Sequence, residues 1–214
     1  MSDSPLSPKQ ASSSGRDRVL NEAGRLFGTR GYNAVSMRDI ALEVGIRQAS
    51  LYHHFPSKEQ LFVAVTERMF ERHRIGLQQA IQDAGGELRS QLHAAAGWFL
   101  CEPPIHFLSM LHTDMPLLGE DNLKRLLAIF QQSIFEPLRQ VFIQAQERGE
   151  IRDARPEMLT GFFLSVIDSI PYFTTDPGDA PREVIVNEMI SMMLDGLKVR
   201  HTPNIDSSGY GTGN

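Results

Sequence analysis

At 214 residues and 41% hydrophobic, the chain carries enough apolar side chains for a sizeable core in one or two domains. Its single cysteine, Cys101, excludes an internal disulfide framework and fits a cytoplasmic protein, and no apolar run approaches the ~20 residues of a membrane span. A net charge of −5 argues, taken alone, against nucleic acid.

Residues 1–15, "MSDSPLSPKQASSSG", are rich in Ser and Pro and read as a disordered tail without the apolar stretch of a secretory signal. The first helix is expected over about Arg16 to Arg30, with Val19, Leu20, Ala23, Leu26 and Phe27 on one face and Gly31 as its stop. Ser36 opens the second helix, and Asp39 three residues on completes a variant of the capping box. Met37, Ile40, Ala41 and Val44 form its apolar stripe, and Gly45 supplies the tight turn. A short helix from about Arg47 to His54 follows, anchored by Leu51 and Phe55 and stopped by Pro56. "SKEQ", Ser57 to Gln60, is a second capping box, and the helix it opens continues to about Ile81.

The body reads as further helices over about Glu87 to Cys101, Ile105 to His112, Asp121 to Arg148, Pro156 to Tyr172 and Pro181 to Val199. Pro137 should kink the long one. "HTPNIDSSGYGTGN", 201–214, reads as a second disordered tail. The fold class is therefore all-α. A DNA-binding head at 16–62 has a connecting helix to about 81, and a ligand-binding and dimerisation bundle follows at 82–200.

Charge separates the two parts. Residues 16–74 hold ten Lys and Arg against seven acids, whereas residues 75–214 hold ten against eighteen. A basic head on an acidic body implies two tasks. Two short helices joined at Gly45 form a helix-turn-helix, whose second helix lies in the DNA major groove. That accounts for the hydrogen-bonding side chains on the short helix. Arg47, Gln48, Ser50 and His53 are candidate contacts to bases or backbone; Arg suits guanine and Gln suits adenine. Tyr52 and Lys58 suit phosphates, and Ser36 and Arg38 stand ready for the opposite flank. A solvated packing unit of three or four helices does not explain turn, caps and basic bias together.

The stretch "AGRLFGTRGYNAVSMRDIALEVGIRQASLYHHFPSKEQLF", Ala23 to Phe62, resembles the TetR family of bacterial transcriptional repressors. The "A-x-x-G-I" turn, "LYHHF" and "F-x-S-K-E-x-L" carry the resemblance. It implies a homodimer on a roughly palindromic double-stranded operator. It also implies a C-terminal body that binds a small effector and thereby releases DNA. Arg47 and Gln48 stand where many members have other residues, so the operator does not transfer. Further along the chain only "ERGEIR", Glu147 to Arg152, and "MMLDGL", Met192 to Leu197, match loosely.

Within the body, Trp98, Phe99, Phe107, Leu111, Phe130, Ile134 and Phe163 are candidate linings of an apolar cavity, with His112, Asp168 and Tyr172 as polar handles. By default most are ordinary core residues. Asp168 stands out, because an acid on so apolar a helix needs a partner or a function. A structural pair, a contact across the dimer and a handle in the pocket are its three placements. The last two helices are apolar nearly all round, so one side can meet the core and the other a second subunit. Phe162, Val166, Ile170, Val186, Met189, Ile190, Met193 and Leu197 are the candidate interface.

His53 and His54 point in different directions on a helix, and His54 is read as a packing residue at the helix end. The spacings of His93, Cys101, His106, His112 and Asp114 match no zinc signature, so no metal and no cofactor is expected. No nucleophile motif, phosphate loop or paired-carboxylate array speaks for catalysis. Two alternatives remain open: a DNA-binding protein without an effector, and a helical enzyme or carrier with a relic head.

Overall fold

The computed structural model describes residues 15–102, 110–173, 178 and 180–198. Among these residues every regular element is helical. The N-terminal helices are α1 (Gly15–Ala34), α2 (Met37–Val44), α3 (Gln48–His54) and α4 (Lys58–Asp83). The body adds α5 (Leu88–Cys101), a π turn at Met110–Asp114 and a 3₁₀ turn at Met115–Leu117. There follow α6 (Glu120–Phe130), a π turn at Gln131–Phe135 and α7 (Glu136–Glu147). The last elements are α8 (Pro156–Ser169), a 3₁₀ turn at Ile170–Phe173 and α9 (Arg182–Leu197).

Local chemistry explains the boundaries in the head. At Gly31 the chain leaves helical geometry (φ 77°, ψ 162°), a region closed to residues with a β-carbon, and α1 is broken there. The Ser36 capping box forms in full. Ser36 Oγ accepts the Asp39 N–H at 3.2 Å, and the Asp39 carboxylate accepts the Ser36 N–H at 2.9 Å. The Ser36 hydroxyl, at 2.6 Å, and the Ser36 N–H both donate to the Asp39 carboxylate and hold its carboxyl below the ordinary value. Gly45 is left-handed (φ 75°, ψ 35°), and the Ile46 N–H reaches back to the Ala41 carbonyl at 3.0 Å, closing α2 and aiming α3 away from it. Ser57 caps α4 by accepting the Gln60 N–H at 3.1 Å.

Helix α4 runs from the head deep into the body. Leu61, Phe62 and Val63 are buried at its head end, with the Phe62 ring on Phe27 of α1, and Phe70, His73 and Leu77 are buried further along it. Phe27, Tyr32 and Phe62 form an aromatic cluster where α1 meets α4, with ring centroids 4.9–6.0 Å apart. Burying each such side chain contributes ~1.5–3 kcal/mol. Pro137 shapes the long helix differently from a simple kink. Without an N–H it cannot bond the carbonyl one turn back, and the ladder widens just before it: the Glu136 N–H bonds the Gln131 carbonyl, five residues behind. The π turn divides the helix into α6 and α7 and packs Ser133 and Ile134 into the interior.

Candidate nucleic-acid interface and effector body

The reading helix α3 is short, and its buried side is small. Leu51 is fully buried and Phe55, its C-cap, is 3% exposed. Everything else from Arg47 to His54 is exposed. Arg47, Gln48, Ser50, Tyr52 and His53 therefore share an open surface, with Arg47 at the N-cap making no capping bond from its side chain. His54 is exposed as well, which corrects its reading as a packing residue: α3 ends one residue before the buried Phe55, so His54 points outward. The two histidine rings lie 6.2 Å apart and tilted by 59°. Among the described residues no cluster of three or more His, Cys, Asp or Glu has metal-binding geometry.

Ser36 and Arg38 are exposed at the start of α2, where Ser36 is already engaged in its cap. Lys58 is placed otherwise than an outward phosphate ligand. Its Nζ donates to the Tyr32 carbonyl at 2.9 Å and lies 4.2 Å from the Tyr32 ring centroid. Glu43 is drawn to Arg25, which keeps this acid paired beside the head.

Three hydrogen bonds tie the body to this head. Asp114 Oδ1 accepts the Tyr32 N–H at 3.1 Å. Glu59, at the start of α4, accepts the Gly119 N–H at 2.8 Å and the Asn122 side-chain amide at 2.7 Å, and these bonds hold its carboxyl below the ordinary value. Arg125 of α6 pairs with Glu67 of α4 at 2.5 Å.

The candidate effector residues do not form one set. Phe99, Ile134 and Phe163 are buried, Leu111 and Phe130 are half-buried, and the Phe130 ring lies 5.8 Å from Phe70. Phe107 lies outside the described residues. His112 is exposed and Tyr172 is 71% exposed, so neither is an interior handle. Asp168 is half-buried rather than interior. The Trp98 ring packs against Gly76 of α4, and its Nε1–H donates to His73 Nδ1 at 3.1 Å. His73 is 2% exposed; burial, followed by the Arg72 charge, lowers its pKa to about 4 and keeps it neutral. On the outer side of α4, Arg72, Ile75, Gly76, Gln79 and Trp98 line an open groove of about 680 Å³.

The candidate interface residues also divide. Ile170, Val186, Ile190, Met193 and Leu197 are buried inside the protomer, which corrects their placement on an outer face. The bundle itself covers that side of α8 and α9, because α9 packs on α5 and α8 on α7. Val166 and Met189 are half-buried. Of the eight, only Phe162 stands well exposed, at 54%, and its apolar neighbours in exposure are Met158, Val184 and Met192.

The family model of "Bacterial regulatory proteins, tetR family" matches residues 19–65, the helix-turn-helix and its flanks. The HTH-type transcriptional repressor KstR2 of Rhodococcus jostii (strain RHA1) is 25% identical over 211 residues, 94% of this chain and 100% of its own length. Residues 19–65 are thus a TetR-family DNA-binding head, and the whole chain is similar to TetR-family repressors. A second KstR2, from Mycolicibacterium smegmatis, is 41% identical over 96 residues, which span 45% of this chain and 44% of that relative. Among solved structures, AibR in complex with isovaleryl coenzyme A and operator DNA superposes with a TM-score of 0.71 at 26% identity, covering 83% of this chain and 97% of AibR.

Sequence reasoning passed over His73 and Gly76, and it gave Asp114 and Glu59 no part in joining body to head. His73 is a polar residue three after Phe70 and four before Leu77, a spacing that marks the buried face and was there to be read. Gly76 sits mid-helix, where a glycine signals close packing. Asp114 and Glu59 act across long sequence separations, and no local pattern announces them.

Proposed function

We propose that the chain is a ligand-responsive transcriptional repressor that binds a roughly palindromic operator as a homodimer and is released by a small apolar effector. Residues 16–62 carry the DNA-binding head, with α4 as the connection, and residues 82–200 carry effector binding and dimerisation. It acts in the cytoplasm and performs no catalytic step. One observation carries the DNA part: α3 is a single short helix, anchored by Leu51 and Phe55, that exposes Arg47, Gln48, Ser50, Tyr52 and His53 together. The names of the KstR2 relatives support repression, and the AibR complex, with both a ligand and operator DNA, supports an effector. The body-to-head bonds at Asp114 and Glu59 supply a path by which a ligand in the body biases head orientation. Among the described residues no helix is long and apolar enough to cross a membrane.

Selection from a randomised duplex pool tests the reading directly. The full chain should enrich an inverted repeat. Arg47→Ala or Gln48→Ala should relax one position in each half-site, at ~1–3 kcal/mol per half-site. Selected motifs identical to the parental one would remove both residues from the reading surface. For the effector, thermal shift with small apolar acids and with isovaleryl coenzyme A, the ligand seen with AibR, should reveal stabilising compounds that also lower operator affinity.

A further inference from the structure

The cation expected beside the start of α4, Lys58, is turned onto Tyr32, yet another cation stands at the same corner. Arg16, in the first turn of α1, lies with its guanidinium carbon 5.0 Å from the centroid of the Phe55 ring. Phe55 is the residue that ends the reading helix; its N–H closes α3 on the Leu51 carbonyl at 2.9 Å. The first turn of α1 is thereby fastened to the loop between α3 and α4, although the two are about forty residues apart. A guanidinium resting on a ring keeps its in-plane N–H groups at the edge, available to an acceptor. Arg16 is exposed, and among the described residues no carboxylate pairs with it. Its neighbour Asp17 is directed to Arg68, at 3.6 Å.

We infer that Arg16 is a further DNA contact: a guanidinium held by Phe55 at the end of the reading helix that binds a backbone phosphate on the flank of each half-site. This rests on the DNA-binding reading above. A cation held in place by a ring loses less side-chain freedom on binding than a free surface arginine. A phosphate contact strengthens binding to all sequences alike and steepens the dependence on salt.

The test compares salt titrations of the full chain on two duplexes, one of random sequence and one selected by the parent from a randomised pool. Arg16→Gln should weaken both and reduce the slope of log affinity against log salt by about one unit per half-site, with the selected motif unchanged. Arg16→Lys should keep the slope. Arg18→Gln removes an equal charge about 200° round the helix axis and should keep the parental slope. If Arg16→Gln melts early, Arg16→Met, which keeps an apolar stem on Phe55, repeats the measurement. An unchanged slope in the Arg16 variants overturns the proposal, and so does an equal loss in Arg18→Gln, which would show a diffuse field rather than a contact. A parent that binds neither duplex overturns the DNA-binding reading itself.

Discussion

Asp114 accepts the backbone N–H of Tyr32, the residue whose carbonyl Lys58 holds from the other side. Tyr32 is thus held from both the body and the head, just past the break at Gly31. Asp114→Ala should leave the Tyr32 N–H unpaired and cost ~1–3 kcal/mol, while Asp114→Asn, which can still accept, should recover most of it. Operator affinity, and its change with effector, should shift in Asp114→Ala although no DNA-facing residue is altered. Chemical denaturation together with operator titration checks this. Parental values in both measurements would mean that the bond does not couple the two parts.

Gly76 carries a packing demand that any side chain breaks. A β-carbon there would sit 2.1 Å from the Trp98 ring, so the ring must leave and its bond to His73 with it. Gly76→Ala should destabilise by ~1–3 kcal/mol. Trp98 is the only tryptophan, so its emission reports the displacement directly. Trp98→Leu placed in the Gly76→Ala background should relieve part of the loss, giving a coupling measurable by a double-mutant cycle.

His73 makes stability depend on pH in a defined direction. Burial holds its folded pKa at about 4, below the unfolded value, so the native state excludes a proton that the unfolded chain accepts. Stability is therefore complete above about pH 6.5 and falls as pH drops, by about 2 kcal/mol at pH 5. His93, lowered by burial and then by Arg89, acts in the same sense. The depressed carboxyls Asp39, Glu59 and Glu136 lose their contribution only at lower pH, which leaves the window from about pH 5 to 6.5 to the histidines. Denaturation midpoints at both ends of that window should differ in the parent and converge in His73→Gln, apart from the share of His93. A slope unchanged by the substitution would assign it elsewhere.

Phe162 and Ile190 separate assembly from folding. Phe162 is 54% exposed on α8 and Ile190 is 2% exposed on α9. If the outer face of these helices joins two protomers, Phe162→Glu should give a folded, helical monomer. Ile190→Glu should instead melt the body, because it places a charge in the protomer's own core. Sedimentation with circular dichroism distinguishes the two. A Phe162→Glu dimer as tight as the parent would move the interface to another face.

The head was legible because its signals are local. Ser36 with Asp39, Gly45, and Ser57 with Gln60 lie within four residues of the groups they satisfy, and the structure forms each of these bonds. The body was less legible. Ile190 and Phe162 belong to equally apolar helices, yet one faces the bundle and the other faces out. Trp98 borders the groove on the outer side of α4, and its ring and N–H are taken up by Gly76 and His73 of another helix, which its own sequence neighbours do not announce.

By itself, the sequence determined the all-α course of the chain, the capped helix-turn-helix and the polar surface of α3. Helical periodicity, caps and turns depend on neighbours a few residues away, and each adds its own increment of free energy. The tertiary structure alone decided which side of α8 and α9 the bundle covers. It also decided where Lys58 turns, and that Arg16 reaches Phe55 and Asp114 reaches Tyr32. Those outcomes depend on distances between residues far apart in sequence. Burial rewards whichever apolar surface the neighbouring helices happen to cover, and no periodicity within one helix encodes that choice.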